Sequence, residues 1–215
     1  MRPLVVTGTD TGVGKTVVSA MLTLALDGIY WKPIQAGTAE GTDRMRVAEL
    51  TGLPESHFRA ERFVLREALS PHLAAELEDL EIQPEDVELP HDVPTDRALI
   101  VEGAGGVLVP ISRRSLQVMV FARWHAPVIL CARTTLGTIN HTLLSLEALK
   151  LREIEVLGII FVGNAMPDSE RTIVDFGKTK RLGRLPLLPE LNAAALSRAF
   201  ETHFDRLDFE RAYER

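Results

Sequence analysis

The sequence predicts an α/β fold built on one doubly wound, mostly parallel sheet. Short, continuous apolar runs recur along the chain and are separated by segments with helical patterning. Such runs are typical of strands covered on both faces, and their alternation with helices indicates βαβ units. We expect strands at residues 4–6, 29–34, 98–101, 128–131, 157–162 and 182–185, and helices at 15–26, 43–51, 115–124, 140–151 and 191–207.

Composition favours one globular domain over residues 1–215. Hydrophobic residues make up 46% of the chain and charged residues 25%, and the formal net charge is −6. This charge argues against a broad surface for nucleic acid or anionic membranes, so we expect a small-molecule partner. A run of about 18 apolar residues, as a membrane span needs, is absent from the sequence, and the first residues lead directly into a strand. We therefore expect a cytoplasmic protein.

The single cysteine, Cys131, excludes an intrachain disulfide and a cysteine metal cluster, and its apolar neighbours predict a buried strand position. The polar interval 76–96 is rich in acids and prolines, and we interpret it as a surface crossover that returns the chain to the same sheet. Ligands of open α/β sheets bind beyond the carboxyl ends of the strands. The loops after residues 6, 31, 101, 131 and 162 should therefore share one active edge.

The strongest motif is a glycine-rich loop between a strand and a helix. Residues 7–16 read TGTDTGVGKT and follow the apolar run 4–6. Glycines let backbone N–H groups converge on phosphate oxygens, Lys15 reaches the β- and γ-phosphates, and the Thr16 hydroxyl can bind Mg²⁺. The usual first glycine falls on Thr9, with Gly8 one residue early, so the motif is a variant. A glycine turn with a solvated lysine is the alternative, but the order of strand, loop and helix favours a nucleoside triphosphate site and a fold of the P-loop NTPase type.

Two acidic residues are candidates for a magnesium site with Thr16. Glu102 ends an apolar strand and precedes Gly103-Ala104-Gly105-Gly106, which we interpret as a flexible loop that a ligand approaches closely. Asp43 opens a helix soon after the second strand. Mg²⁺ prefers oxygen ligands and substrate phosphates, which suits this set. The alternatives are a solvated acid for Glu102 and a helix N-cap for Asp43.

Lys32 is a candidate second cation beside Lys15. It ends an apolar strand and is followed by Pro33, whose ring restricts the backbone. In phosphoryl transfer such a cation would neutralise the migrating group and orient an anionic nucleophile. The alternative is a surface lysine whose stem alone is buried.

Taken together, these residues resemble the dethiobiotin synthetase family over about residues 3–190. The resemblance is carried in order by residues 7–16, Lys32-Pro33, Asp43, Ser70-Pro71-His72, the segment 101–106, the segment LGTINH at 136–141, and Asn164. It implies ATP-dependent carboxylation of 7,8-diaminononanoate with CO₂, through a carbamate and a carbamic-phosphoric anhydride, to dethiobiotin, ADP and phosphate. ATP as co-substrate and Mg²⁺ as cofactor are implied with it.

The resemblance also implies roles for individual residues. Lys32, Lys15 and Thr11 act at the reacting groups, and Gly12, Val13, Gly14, Lys15, Thr16 and Val17 cradle the phosphates. Thr16, Asp43 and Glu102 bind Mg²⁺; Gly103, Ala104 and Gly105 lie near the diamine, carbamate and nucleotide; Asn164, Pro186, Leu187, Leu188 and Glu190 surround the base. Ala36 belongs to the substrate pocket, while Leu136, Gly137, Thr138, Ile139 and Asn140 reach the substrate carboxylate of a neighbouring subunit, which implies a homodimer with its site at the interface.

Some features remain open in the sequence. Ala36 and Thr135 stand where some relatives carry serine and lysine, which affects the substrate pocket. The alternative for Asn164 is a turn residue after a strand. His72 and His141 receive no role, and the tail 208–215 carries no defined chemistry. ATP, CTP and GTP all suit the phosphate site. A nucleotide-switch ATPase, or another ATP-dependent ligase on the same fold, is the alternative function.

Overall fold

The computed structural model describes residues 3–213, so Met1, Arg2, Glu214 and Arg215, which belong to the predicted domain and tail, lie outside the described residues. The main sheet of this part has seven strands in the order β4-β2-β6-β1-β7-β8-β9. The strands are β1 (Leu4–Gly8), β2 (Ile29–Trp31), β3 (Ile34–Ala36), β4 (Phe58–Arg59), β5 (Phe63–Leu65), β6 (Leu99–Gly106), β7 (Val128–Arg133), β8 (Val156–Val162) and β9 (Arg181–Leu185). Their pairings are parallel, and β3 pairs with β5 in a small second sheet.

Helices cover both faces of the main sheet, as a doubly wound fold requires. They are α1 (Lys15–Ala25), α2 (Asp43–Thr51), α3 (Pro71–Glu76), α4 (Gln117–Trp124), α5 (Thr138–Lys150), α6 (Pro167–Gly177), α7 (Ala193–His203) and α8 (Arg206–Tyr213). One apolar core joins the sheet to α4, α5 and α6, and a second joins it to α1, α2, α7 and α8. The predicted α/β class is confirmed. None of the helices within residues 3–213 has the length and apolar character needed to cross a membrane.

Strand alternation decides which side chains meet at the active edge. Val5 and Val101 enter the first core, whereas their neighbours Val6 and Ile100 enter the second. Val6 pairs with Glu102 across β1 and β6. Because side chains alternate with a period of two, Glu102 projects to the same face as Val6, the face that carries α1.

The predicted glycine loop after Glu102 is wrong, because β6 continues through Gly106 and pairs with β1 at Gly8. Glu102 therefore lies inside the strand. Glycine is required there by close packing: a Cβ on Gly103 would lie 2.8 Å from Gln117 Nε2 and 2.9 Å from Phe121 Cζ. Gly103 thus makes room for α4 beside the strand, where composition alone indicated a turn.

Other boundaries differ from the predictions for local reasons. The predicted strand 29–34 is broken before Ile34 at Pro33, and the predicted helix 191–207 is broken at Phe204, whose backbone is extended and bridges Gly183. Helix α4 begins two residues later than predicted, at Gln117, and helix α5 begins two residues earlier, at Thr138. Helices α3 and α6 and strands β3, β4 and β5 were not predicted as separate elements. The interval 76–96 does connect α3 to the strand that carries Glu102.

Candidate active site

The glycine loop wraps the amino end of α1. Gly12 and Gly14 have φ values of +70° and +95°, which glycine adopts without strain. Gly14 is the N-cap of α1, and a Cβ there would lie 2.9 Å from Val162 Cγ1. The loop therefore requires glycine at this position, and it leaves the helix N-terminus facing the carboxyl edge of the sheet, an arrangement that suits an anion.

Lys15, the first residue of α1, is buried at the floor of this loop. Its side chain bends back so that Nζ donates to the backbone oxygen of Asp10 at 3.0 Å. Burial lowers the pKa of Lys15, while the negative charge of Glu102 opposes that shift. A buried ammonium with few hydrogen bonds to the protein can replace the bond to the Asp10 carbonyl oxygen by bonds to phosphate oxygens.

Three oxygen-bearing side chains meet next to Lys15. Thr16 Oγ1 lies 2.9 Å from Asp43 Oδ1 and 2.9 Å from Glu102 Oε1, although these residues are distant in sequence. The prediction that Thr16, Asp43 and Glu102 converge agrees with this geometry. A hydroxyl and two carboxylates are the hard donors that Mg²⁺ prefers, so the residues present fit that ion, with further positions left for phosphate oxygens and water.

Lys32 lies between the two carboxylates. Its Nζ contacts Asp43 Oδ2 and lies 3.5 Å from Glu102 Oε1, and the residue is 7% exposed. Burial alone would lower the pKa of Lys32, but Glu102 and Asp43 outweigh it and the pKa is raised. The surface-lysine interpretation is therefore wrong, as is that of a solvated acid for Glu102, which is 1% exposed.

Asp43 is oriented by the amino end of α2. Thr42 is the N-cap, and its side chain accepts a hydrogen bond from Met45 N, so Asp43 itself is the first helical residue and the N-cap alternative is wrong. The Asp43 amide donates to Gln35 Oε1 at 3.1 Å, and Gln35 Nε2 donates to the Gly37 oxygen at 2.9 Å. Gln35 was not predicted as a site residue, although its position soon after Lys32-Pro33 places it next to the candidate site.

A cleft of about 750 Å³ opens over these groups. Its lining includes most of the predicted phosphate, metal and substrate residues, namely Thr11, Gly12, Gly14, Lys15, Thr16, Val17, Lys32, Ala36, Asp43, Glu102, Ala104 and Gly105. Ala68, Leu69, Ser70, Pro71 and Val109 complete it. The lining of the cleft thus combines two cationic side chains and two carboxylates with apolar residues.

A second cavity of about 700 Å³ lies on the other side of the glycine loop. It shares the loop and α1 residues Gly12, Gly14 and Val17 with the first cleft, and contains Val13, Leu136, Asn164, Pro186, Leu187 and Leu188 from the predicted set. Glu190 is not in the described lining; its carboxylate accepts from Asn192 Nδ2 at 3.2 Å. Arg133, which was not predicted, lines this cavity and pairs with Asp10 at 2.7 Å.

The remaining predicted residues lie apart from the cleft in this chain. Gly103 faces α4, while Gly137, Ile139 and Asn140 form the start of α5 with Thr138. Thr138 is buried, and its hydroxyl donates to the Arg133 backbone oxygen. Cys131 is buried in β7 as predicted, and burial raises the pKa of its thiol to about 12.

The Asp43 carboxyl makes stability depend on pH. Burial alone would raise its pKa, but Lys32 lowers it overall, below the ordinary value of 3.8. A carboxyl with a depressed folded pKa stabilises the fold above its unfolded pKa, and this stabilisation is lost as pH falls through the folded value. In metal-free protein we expect the wild type to be more stable than Asp43→Asn at neutral pH. This difference in the free energy of unfolding should shrink as the pH falls below 3.8, the ordinary pKa of the carboxyl. Urea denaturation at a series of pH values measures it, and an advantage that stays constant down to about pH 2 would contradict this assignment.

Comparison with known proteins finds relatives along almost the whole chain. The family model described as AAA domain matches residues 2–195. The ATP-dependent dethiobiotin synthetase BioD of Rhodopseudomonas palustris (strain BisB5) is 56% identical over 207 residues, which cover 96% of each chain. The protein of the same name from Brucella anthropi is 52% identical over 204 residues, which cover 95% of each chain.

Solved structures show the same fold at low identity. The cell division ATPase MinD of Pyrococcus furiosus has a TM-score of 0.58 at 13% identity and covers 98% of this chain and 99% of its own. The septum site-determining protein MinD of Pyrococcus horikoshii, complexed with Mg-ADP, has a TM-score of 0.58 at 15% identity and covers 98% of each chain. The fold is therefore of the P-loop NTPase type, and near full-length identity above 50% shows that the chain belongs to the ATP-dependent dethiobiotin synthetase family of enzymes.

Proposed function

We propose that this chain, as one domain over residues 1–215, converts 7,8-diaminononanoate, CO₂ and ATP to dethiobiotin, ADP and phosphate. The observation that carries the proposal is the buried Lys32, held between Asp43 and Glu102 in the cleft that also exposes the phosphate loop. A nucleotide switch needs groups that hold the nucleotide and its metal ion, but no site for a second, anionic nucleophile. A second buried cation beside it suits an enzyme that must bring an anionic nucleophile to a phosphoryl group.

The nucleotide is assigned to the two adjoining cavities. The phosphates would lie on the backbone of residues 12–17 with Lys15, where the helix dipole and the ammonium both favour negative charge. The base would enter the second cavity, near Asn164 and the segment 186–188, which both line it. ATP is the proposed nucleotide because the relatives carry it in their name, and CTP and GTP are alternatives for direct comparison.

Thr16, Asp43 and Glu102 would hold Mg²⁺, since Asp43 Oδ1 and Glu102 Oε1 each lie 2.9 Å from Thr16 Oγ1. When bound, this ion would neutralise phosphate charge and orient the γ-phosphate for transfer. In the structure described here, Lys32 supplies the positive charge that these carboxylates require.

The reaction begins with capture of CO₂ by one amine, which releases a proton and leaves a carbamate. A carbamate oxygen attacks the γ-phosphorus of ATP, the bond to the β-phosphate oxygen breaks, and ADP leaves. The neighbouring amine then attacks the carbonyl carbon of the mixed anhydride. The bond from carbon to the phosphate oxygen breaks, phosphate leaves, and the attacking nitrogen loses its proton to phosphate or water. Ring closure needs positioning more than a dedicated base.

Lys32 would bind the carbamate and the transferring phosphoryl group, because its Nζ is a buried cation at the cleft. Its raised pKa keeps it charged throughout the neutral range. Thr11, Ala36 and Gly105 line the same cleft and would contact the diamine and the reacting phosphate. Lys15 would stabilise charge on the β- and γ-phosphates.

We also propose a homodimer in which residues 136–140 of one subunit reach the substrate carboxylate of the other. The exposure of this segment supports an intermolecular role: Leu136 is fully exposed, and Gly137 and Asn140 are exposed as well. The start of α5 presents backbone amides that suit a carboxylate.

Mass spectrometry of the product tests the proposed reaction. Purified protein is supplied with 7,8-diaminononanoate, bicarbonate, Mg²⁺ and ATP, and each component is omitted in turn, with CTP and GTP as replacements for ATP. Dethiobiotin that disappears with every omission is expected. Nucleotide hydrolysis that does not respond to the diamine, without product from any nucleotide, would favour the switch ATPase instead.

Removal of divalent cations is expected to lower turnover at least about a hundredfold, because the charge on the migrating phosphoryl group loses its counterion. The measurement compares dethiobiotin formation with and without excess chelator, followed by re-addition of Mg²⁺. Turnover that persists at the full rate in chelator would contradict the assignment of Thr16, Asp43 and Glu102 as magnesium ligands.

A further inference from the structure

Tyr30 in β2 contacts the candidate site from inside the protein. The residue is fully buried in the core beneath α1, and its hydroxyl donates to Glu102 Oε2 at 3.0 Å. Strand pairing explains the contact: Tyr30 lies opposite Ile100, two residues before Glu102 on the same face of β6. The phenol therefore extends along the sheet from the core toward the active edge.

The two oxygens of Glu102 have different partners. Oε1 faces the cleft, where it accepts from Thr16 Oγ1 at 2.9 Å and lies 3.5 Å from Lys32 Nζ. Oε2 faces the core and accepts from Tyr30. This division fixes the rotation of the carboxylate about its own axis. A contact on one oxygen alone would leave that rotation free.

Burial makes the core-side contact energetically important. Glu102 is 1% exposed, so water cannot hydrate Oε2, and a buried carboxylate oxygen without a donor is costly. Tyr30 supplies a donor that carries no charge, which satisfies Oε2 without neutralising the carboxylate. The negative charge of Glu102 remains available to groups in the cleft on the side of Oε1.

We propose that Tyr30 is a positioning residue that holds Glu102 with Oε1 directed toward Thr16 and the phosphate loop, and so sets the affinity of the site for a divalent cation. The inference rests on the proposed magnesium role of Glu102 and goes beyond it, since Tyr30 itself touches neither nucleotide nor diamine. Residues that orient a metal ligand through its other oxygen commonly change metal affinity when replaced.

Replacement of Tyr30 by phenylalanine tests the proposal, because it removes the hydroxyl and keeps the buried ring. Tyr213→Phe is the matched control: it removes the other tyrosine hydroxyl of the chain, in α8. The dissociation constant of Mn²⁺ is measured in the presence of ADP from the free-Mn²⁺ electron paramagnetic resonance signal. We expect Tyr30→Phe to raise this constant roughly 10- to 100-fold, and Tyr213→Phe to leave it within about twofold.

Two further readouts separate positioning from a general loss of structure. Metal-free binding of ADP should change less than about threefold in Tyr30→Phe, since the phosphate loop is not touched. In the Glu102→Gln background, the same tyrosine replacement should have little additional effect on Mn²⁺ affinity, because Tyr30 acts on the metal only by orienting the Glu102 carboxylate. An unchanged Mn²⁺ constant in folded Tyr30→Phe, or full additivity with Glu102→Gln, would overturn the proposal.

The wild-type protein provides a test that needs no stable variant at position 30. With two tyrosines in the chain, tyrosine labelled with carbon-13 at Cζ gives two signals, which Tyr213→Phe assigns. We expect addition of Mg²⁺ to the ADP complex to shift the Tyr30 signal and leave that of Tyr213 in place. A Tyr30 signal that does not move on saturation would overturn the proposal. These readouts involve no diamine, so they stand apart from the test of dethiobiotin formation.

Discussion

Replacement of Lys15 by alanine is expected to lower turnover by at least about a thousandfold, because it removes a preorganised cation at the phosphates in a buried, weakly hydrated position. Lys15 is 6% exposed and its Nζ donates a hydrogen bond to the Asp10 backbone oxygen, so the ammonium is already held at the loop. Nucleotide affinity should fall as well, since Lys15 faces the β- and γ-phosphates in the bound state that we propose. Initial rates of dethiobiotin formation and calorimetric titration with ATP measure the two effects.

Lys150→Ala is a suitable control for Lys15→Ala. Lys150 is the exposed last residue of α5 and lines a groove formed with the segment 176–180, outside both nucleotide cavities. The control should retain wild-type turnover and ATP affinity. A Lys15→Ala protein that keeps more than about a tenth of wild-type turnover would contradict the phosphate role of Lys15.

Lys32→Ala is expected to lower kcat roughly 100- to 1000-fold while nucleotide affinity changes less than about threefold. Lys32 contacts Asp43 and Glu102, and in the reaction that we propose it binds the carbamate. Its removal should therefore affect the carbamate and the migrating phosphoryl group more than the bound nucleotide. The measurement pairs single-turnover rates at saturating diamine and ATP with ATP titration. The separation of the two effects distinguishes Lys32 from Lys15.

Stability must be followed in the same experiment, because loss of Lys32 removes the cation that pairs with the buried Glu102 and the partly exposed Asp43. Removal of one partner from a buried ion pair typically costs about 3–5 kcal/mol. Assays in saturating Mg²⁺ limit this effect, and Lys32→Arg, which keeps the charge but changes the donor geometry, is the matched comparison. Unchanged diamine-dependent turnover in folded Lys32→Ala would remove the proposed role.

The architecture and the centre of the site follow from sequence patterns that are local. Uninterrupted apolar runs identify the core strands, and parallel strands bring their carboxyl ends to one edge. That rule alone places Thr16, Lys32 and Glu102 close together, as observed. Asp43 follows from its position soon after the second strand. The glycine loop is recognisable because its chemistry demands particular residues in a fixed order.

The features that sequence patterns missed depend on tertiary contacts. The run Gly103 to Gly106 reads as a turn, but it continues strand β6, and its first glycine, Gly103, allows close packing against Gln117 and Phe121. Tyr30 reads as an ordinary core residue, and its bond to Glu102 becomes visible only when the register of β2 and β6 is known. Helix α3 has only six residues, too few for a clear helical pattern in the sequence, and it begins at Pro71.

Transfer of an oxygen atom from CO₂ to phosphate is the most direct test of the proposal that a carbamate attacks the γ-phosphorus of ATP. A carbamate oxygen that attacks the γ-phosphorus departs with phosphate when the ring closes. Reaction of the diamine and ATP with oxygen-18-labelled CO₂, quenched before the label exchanges with water, should therefore give one labelled oxygen in phosphate for each dethiobiotin formed. Phosphate that carries no label while dethiobiotin accumulates, or phosphate that forms without the diamine, would contradict the reaction proposed for this cleft.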